Sequence, residues 1–435
     1  MPESIKDKSE EAVTAGCQDA PVEDPIDKSM DHGLIAWLQV LGSWILFWNT
    51  WGLTNSYGVF QTFYLNNLLP SSNASAISWV GSVQLFLTMV VGIPAGVLLD
   101  AGHLHFLIAA GTLLEIAGLF ALAECSKYWQ IFLAQGICMG IGSGLLGLTS
   151  VAVIPLYFQR RKMIATGIAA TGSSLAGILY PLMMRRLFVK VGFAWAVRTL
   201  AFLILGCMAI CMAVMRLRDR PKRKGPLFNI KMLADKPYAA FVGAFTLMIA
   251  SAYIPFFYIQ DYALKLSVNE EMAFNLLSIM NAASLLGRLA PNWLADRYGG
   301  VHVMFPSAAL SALILFFFRF VNNLGGLVAI SVIYGFISGG MISLPPPIIA
   351  SLTPNSRELG TKMGMAYTVA AFGGLVGNPI AGAAKRASKG LRKSDVQNEF
   401  QGVWLVAAVG MVIATGLLVL TKYLRAGKIF VRTKI

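Results

Sequence analysis

The sequence predicts an all-α membrane protein: twelve transmembrane helices in two pseudo-symmetric sets of six. Three observations predict it. Hydrophobic residues make up 56% of the 435-residue chain and charged ones 13%, with a mean hydropathy of +0.65, far from the balance of a soluble domain. Apolar stretches of crossing length recur throughout, where a helix rising ~1.5 Å per residue needs about 20 mostly apolar residues to cross ~30 Å of hydrocarbon. Polar landmarks also repeat at a nearly constant offset between the first six stretches and the last six.

Taken in order, residues 1–33 read as a disordered cytoplasmic tail. Glu3, Asp7, Glu10, Glu11, Asp19, Glu23, Asp24, Asp27 and Asp31 face only Lys6, Lys8 and Lys28 there. That segment has no apolar core or cleavage site of a signal peptide, so the first span is expected to act as its own insertion signal. A first bundle, 34–215, holds spans near 35–60, 77–99, 104–124, 129–156, 163–184 and 195–215. A basic linker, 216–237, carries Arg216, Arg218, Arg220, Lys222, Arg223 and Lys224. The second bundle, 238–424, holds spans near 238–260, 272–294, 302–320, 327–350, 362–384 and 402–422, and 425–435 forms a second cytoplasmic tail.

With both termini on one side, that side collects 22 of the 35 basic residues and the opposite side 12, with Arg288 inside a span. The positive-inside rule therefore puts the termini and the linker in the cytoplasm. Plasma membrane is the expected location, with an internal membrane as the alternative. Asn73-Ala-Ser75 is a glycosylation sequon in the first outer loop, consistent with that orientation and with a glycoprotein. The net charge of +14 lies in short loops beside lipid headgroups, so it points to the bilayer and not to nucleic acid. Cys17, Cys125, Cys138, Cys207 and Cys211 are scattered and read as small apolar packers rather than a disulfide frame.

The halves look like copies. Asp100 and Asp296 follow spans 2 and 8 at an offset of 196, and Arg160 and Arg357 precede spans 5 and 11 at 197. Gly167 with Gly364, and Gly177 with Gly374, also repeat at 197. Duplicated six-helix bundles imply a mid-membrane site between them, opened to each side in turn. Gly167, Gly172 and Gly177 make span 5 smooth on one side, as Gly364, Gly373, Gly374 and Gly377 do for span 11. Small residues let helices approach closely in lipid, for static packing or for sliding.

Arg288 stands out. A charge at bilayer depth costs at least ~2.5–3.5 kcal/mol on insertion scales, so it must face a partner or a wet cavity. Its planar fork matches a carboxylate, which makes it a candidate grip for an anionic solute; the alternative is a bond that holds the bundle together. Glu115, in the middle of span 3, is a candidate proton-carrying carboxyl or a hydrogen-bonded structural one. Asn49 and Asn55 in span 1, Gln135 in span 4, Tyr253 and Tyr258 in span 7 and Asn281 in span 8 are candidate cavity residues or interhelical contacts. Basic rims follow span 5 (Arg185, Arg186, Lys190) and span 11 (Lys385, Arg386, Lys389, Arg392, Lys393) on the outer side.

At these residues the chain resembles the Major Facilitator Superfamily, and within it the fungal branch of the monocarboxylate-transporter-like family. Asp31-His-Gly-Leu-Ile-Ala-Trp37 is similar to that family's opening to span 1. Tyr157-Phe-Gln-Arg-Arg-Lys162 and Ala165-Thr-Gly-Ile-Ala-Ala-Thr-Gly-Ser-Ser174 resemble its second signature. Asp100-Ala-Gly102 and Leu294-Ala-Asp-Arg-Tyr-Gly299 resemble the superfamily's cytoplasmic loop motif. The resemblance implies that Asp100, Asp296, Arg297, Arg160 and Arg161 steady the conformational states. It further implies a secondary transporter of small monocarboxylates, aromatic amino acids, vitamins or hormones, often with proton symport. Arg288 matches the arginine that contacts the carboxylate in animal members. Ser284 stands where those members have an acidic residue, Asn55 where they have a lysine, and Phe132 where the superfamily has a span 4 arginine. Many fungal relatives accompany secondary-metabolite pathways, so export of a larger product is the alternative to uptake of a small acid.

No cofactor, metal or enzymatic constellation is expected: His32, His103, His105 and His302 lie at span edges or in loops, with no nucleophile–base set or phosphate loop. A non-transporting nutrient sensor is the third class, and it would call for a long signalling extension where this chain has a short linker and a modest tail. The expected function is alternating-access transport of a small organic solute, with protons and the lipid bilayer as further partners, by a monomer.

Overall fold

The computed structural model describes residues 33–70, 74–218, 232, 234–353, 358–391 and 396–426. Asn73, Arg220, Lys222, Arg223, Lys224, Arg357, Arg392 and Lys393 lie outside the described residues.

Among the described residues every regular element is a helix, and nine helical stretches are long and apolar enough to cross a membrane. One of them, Lys162–Val214, is two spans in series, broken at Gly192 with φ 77°, a left-handed conformation that only glycine adopts cheaply. Its two ends return to one side: the Tyr157 hydroxyl, just before it, donates to the carbonyl of Arg216, just after it, at 2.9 Å. These are spans 5 and 6. The remaining two crossings are less uniform. Span 1 comprises Leu34–Asn49, Trp51–Asn55, Tyr57–Phe63 and a π-turn Tyr64–Leu68. Span 11, Leu359–Leu391, carries lysines near both ends.

The other spans are continuous or once bent. Span 2 is Ala74–Val90 with Gly92–Asp100, span 3 is Leu104–Ala123, and span 4 runs from Tyr128 through a π segment to Ala152. Span 7 is Lys236–Ala252 with Ile254–Lys265, span 8 is Glu270–Tyr298 and span 9 is Gly300–Phe318. Span 10 is Leu324–Ser343 with Pro345–Ser351, and span 12 is Val396–Ala426. Several helices outrun the expected ranges because their charged ends continue past the apolar stretch. Span 8, for example, begins two residues early under the Asn269 cap, whose side chain accepts from the Met272 N–H at 2.7 Å.

Span 1 bends where its sequence turns polar. Thr50, Thr54 and Ser56 each donate to the carbonyl four residues back, at 2.7, 3.1 and 2.8 Å. Such back-bonding competes with the helix ladder and bends it. Large apolar side chains such as Leu113, Phe202, Leu313, Ile333 and Val412 stay exposed around the bundle, forming the surface that lipid covers.

Two interfaces join the six-helix halves, span 5 on span 8 and span 2 on span 11, both tightest on the side where span 1 begins and span 12 ends (the terminal side). The Asp296 carboxylate, at the end of span 8, accepts from the Met163 and Ile164 N–H groups that open span 5, both at 2.9 Å. The Asp100 carboxylate, at the end of span 2, accepts from the Gly360 and Thr361 N–H groups that open span 11, at 2.9 and 2.7 Å, and from the Thr361 hydroxyl. Met163 and Ile164 map onto Gly360 and Thr361 at the same 197-residue offset that relates the paired glycines. Each half thus caps a helix of the other, satisfying first-turn donors and the positive end of the helix dipole.

Candidate functional site

Between the halves, at mid-depth, lies a cavity with about 390 Å³ of empty space. Spans 1, 2, 5, 7, 8, 10 and 11 all contribute to its walls. Phe47, Trp51, Phe245, Tyr253 and Tyr367 are its aromatic lining, with Arg288 as the cation and Asn55 and Ser173 as polar neighbours. The rings contact one another, Trp51 to Tyr367 at 6.1 Å and Phe245 to Tyr367 at 5.3 Å between centroids.

Arg288 is 3% exposed. One terminal nitrogen donates to the Ala170 carbonyl and the Ser173 hydroxyl of span 5, so the guanidinium ties span 8 to the other half. Its Nε has no partner, and neither has the buried Trp51 Nε1. Among the described residues no carboxylate pairs with Arg288. A buried cation answered only by neutral oxygens keeps most of its desolvation penalty, and an anion entering the cavity would relieve it. Of the two readings of Arg288 made from the sequence, its contacts within the chain are those of a bond between the bundles.

The other expected site residues divide. Asn55, Tyr253 and Arg288 meet at the central cavity. Asn49 does not reach it: it is fully buried, accepts from the Tyr180 hydroxyl at 2.8 Å and donates to the Ile45 carbonyl at 2.8 Å, fixing span 1 to span 5. Gln135 accepts from the Tyr64 hydroxyl at 2.6 Å, and the Tyr258 hydroxyl donates to the Asn378 carbonyl at 3.2 Å; each holds two helices of one half together. Asn281 donates to the Leu277 carbonyl at 3.1 Å and lies against Gly177 across the interface between halves. Glu115 is fully buried between spans 3 and 4, accepts from the Ser143 hydroxyl at 2.9 Å, and does not line this cavity.

The span 5 glycines likewise split by direction. Gly167 faces the Arg288 carbonyl and Asn292, and Gly177 faces Asn281, both across the halves, whereas Gly172 packs on the Trp44 carbonyl inside its own half. Arg160 and Arg161 are exposed where span 5 starts, and the Arg297 guanidinium lies 3.8 Å over the Trp293 ring of its own helix. On the opposite rim Lys385 pairs with Asp261 and with Glu399, so it is spent on span packing and not left free for solutes.

Of the aromatic lining, sequence reasoning named Tyr253 alone as a cavity residue, and it missed Asn292. An aromatic inside an apolar span has no contrast with its neighbours. Asn292 did carry a signal, one turn beyond Arg288: its amide donates to the Arg288 carbonyl and the Ser343 hydroxyl at 2.7 and 2.6 Å, holding the backbone that carries the guanidinium.

The paired caps give a first expected result. Charge-assisted hydrogen bonds contribute about 1.5–3 kcal/mol each, so Asp100→Ala or Asp296→Ala should shift the halves about tenfold to a hundredfold toward opening on the terminal side. Spin labels on His105 and Lys236, exposed on that side in different halves, should record a longer distance in both variants.

Comparison with known proteins follows the same outline. A family model described as the Major Facilitator Superfamily matches residues 33–293 and 240–429. The chain is 36% identical over 383 residues to the MFS-type transporter dbaD of Emericella nidulans, covering 88% of this chain and 85% of that protein. It is 36% identical to the agnestins efflux protein AgnL12 of Paecilomyces divaricatus, covering 79% of this chain and 80% of that one. Among solved structures, the Escherichia coli fucose:proton symporter FucP superposes with a TM-score of 0.67 at 16% identity, covering 89% of this chain and 98% of FucP, a likeness of fold.

Proposed function

The chain belongs to the Major Facilitator Superfamily and is a membrane transporter, and on that premise we propose that it exports a weakly acidic aromatic product of fungal secondary metabolism. The observation that carries this reading is the pairing of a five-ring aromatic wall with one uncompensated guanidinium at the centre of the fold. Aromatic faces take up a flat apolar body, and a planar fork takes its carboxylate or acidic phenol. The efflux role named for the relative from Paecilomyces divaricatus supports the direction.

The mechanism follows from where Arg288 points. The guanidinium bonds the Ala170 carbonyl and the Ser173 hydroxyl of the other half. A bound anion competes for those same donors and weakens the tie beside the capped terminal interface. Solute binding thereby shifts the balance between the two access states, as differential affinity must for any ligand-driven change. Uptake of a small monocarboxylate, as the resemblance to the monocarboxylate-transporter-like branch implies, is the second reading; the same arginine favours it, but the extent of the aromatic wall exceeds what a two- or three-carbon acid covers. We place the termini in the cytoplasm and the protein in the plasma membrane on the charge asymmetry. Proton coupling is not proposed, since Glu115 lies apart from the central cavity.

The test is retention and entry in cells with and without the protein, using a labelled panel of aromatic carboxylic acids, phenols, lactate and pyruvate. Faster loss of an aromatic acid from preloaded cells is expected. Accumulation of lactate or pyruvate without any effect on the aromatic acids would contradict the proposal.

A further inference from the structure

A second cavity, with about 500 Å³ of empty space, lies between spans 1, 5, 7 and 8 on the side opposite the termini. Asn55 lines both cavities, so the two meet at one side chain. Around the second cavity stand Arg185 of span 5, Gln260 of span 7, and Asn275 and Ser278 of span 8. None of these, nor Asn55, makes a side-chain hydrogen bond or ion pair with another described residue. The Arg185 guanidinium instead rests 5.0 Å over the ring of Phe274, which comes from the other half.

Arg185 is exposed and Asn55, Gln260, Asn275 and Ser278 are half-buried, so these groups stand open to an entering solute. Asn49, Gln135 and Asn292, by contrast, are buried and bonded to neighbouring helices. Four unspent polar side chains and a cation on an aromatic face make a lining suited to a flat anionic group: the guanidinium takes the charge, Phe274 the ring, and the amides the remaining oxygens.

We propose that this cavity is a second site for the aromatic anion, an outward station that receives it from Arg288 through Asn55. The inference rests on the proposed reading of the central cavity and adds a second cation, Arg185, to it. Two stations divide one long transfer into two short ones: Ser173, which Arg288 bonds, and Arg185 stand about 18 Å apart along span 5. Because Arg185 bears on Phe274 across the halves, occupation also bears on how closely they meet on that side.

Photolabelling tests it with 4-benzoylbenzoate, an aromatic carboxylate that marks neighbouring residues under ultraviolet light, on the full chain in lipid nanodiscs, and with uncharged 4-methylbenzophenone as control. In the wild type, carboxylate-dependent adducts are expected at Met89 or Tyr253 in the central cavity and at Leu182 or Phe274 in the outer one. Arg185→Gln should lower the outer adducts at least tenfold and leave the central ones; Arg288→Gln should do the reverse. Asn275→Trp, which fills the outer cavity without touching a charge, should remove the outer adducts too. Outer adducts that are absent from the wild type, or unchanged in both outer variants while the central ones respond to Arg288→Gln, would overturn the second station alone. Central adducts indifferent to Arg288→Gln would overturn the reading of the central cavity on which it rests.

Discussion

Arg288→Gln is expected to lower export of an aromatic carboxylate about tenfold to a hundredfold, with surface expression unchanged. The magnitude follows from losing a charge-assisted interaction of about 1.5–3 kcal/mol. Glutamine ends two bonds short of the Arg288 terminal nitrogen, so the tie to Ser173 goes with the cation and an ester control must separate the two losses. Arg288→Lys should fall between the two, because it keeps the charge and loses the planar fork. An uncharged ester of the same acid should lose far less in either variant. Equal loss for acid and ester would assign Arg288 to holding the bundle alone.

The second large effect concerns the smooth interfaces. A Cβ on Gly364 would meet the backbone of Gly92 and Ile93 across the halves, so a leucine there cannot coexist with the closed terminal side. Overpacking a tight contact costs about 1–3 kcal/mol or more, and here separation of the halves relieves it. Gly364→Leu should therefore accumulate normally, sit open on the terminal side and transport at least about tenfold more slowly. Gly335→Leu makes the contrast: its Cβ would meet the Met280 carbonyl between spans 8 and 10 of one half, a contact no rocking relieves. That variant should fold poorly, seen as lower yield and a lower unfolding temperature.

Much of this was legible in the sequence, because lipid imposes rules that composition reports directly. Apolar length marked the crossings, and the repeat of Asp100 and Asp296 marked the paired caps before their partners were known. The sequence could not say what the aspartates held, since a backbone N–H at a helix start has no letter of its own. Arg288 was visible as a charge in an apolar run, but its bonds to Ala170 and Ser173 depend on which face of span 5 meets span 8. The amides show the limit most plainly. Asn49, Asn55 and Gln135 look alike as polar residues in apolar spans, yet Asn49 and Gln135 meet a tyrosine hydroxyl on a neighbouring helix and Asn55 meets open space. Helix rotation decides between those outcomes, and periodicity in a helix apolar on all sides does not reveal it.

The central claim is a solute path between two rigid halves, reached from one side at a time. Electron–electron resonance distances on two label pairs test it most directly: His105 with Lys236 across the terminal side, and Ser126 with Asn323 across the opposite side. The account predicts opposed changes, the first distance lengthening as the second shortens, with the Asp296→Ala and Gly364→Leu variants held toward the first of these states. Distances that stay fixed together, or lengthen together, under every solute and variant would contradict it.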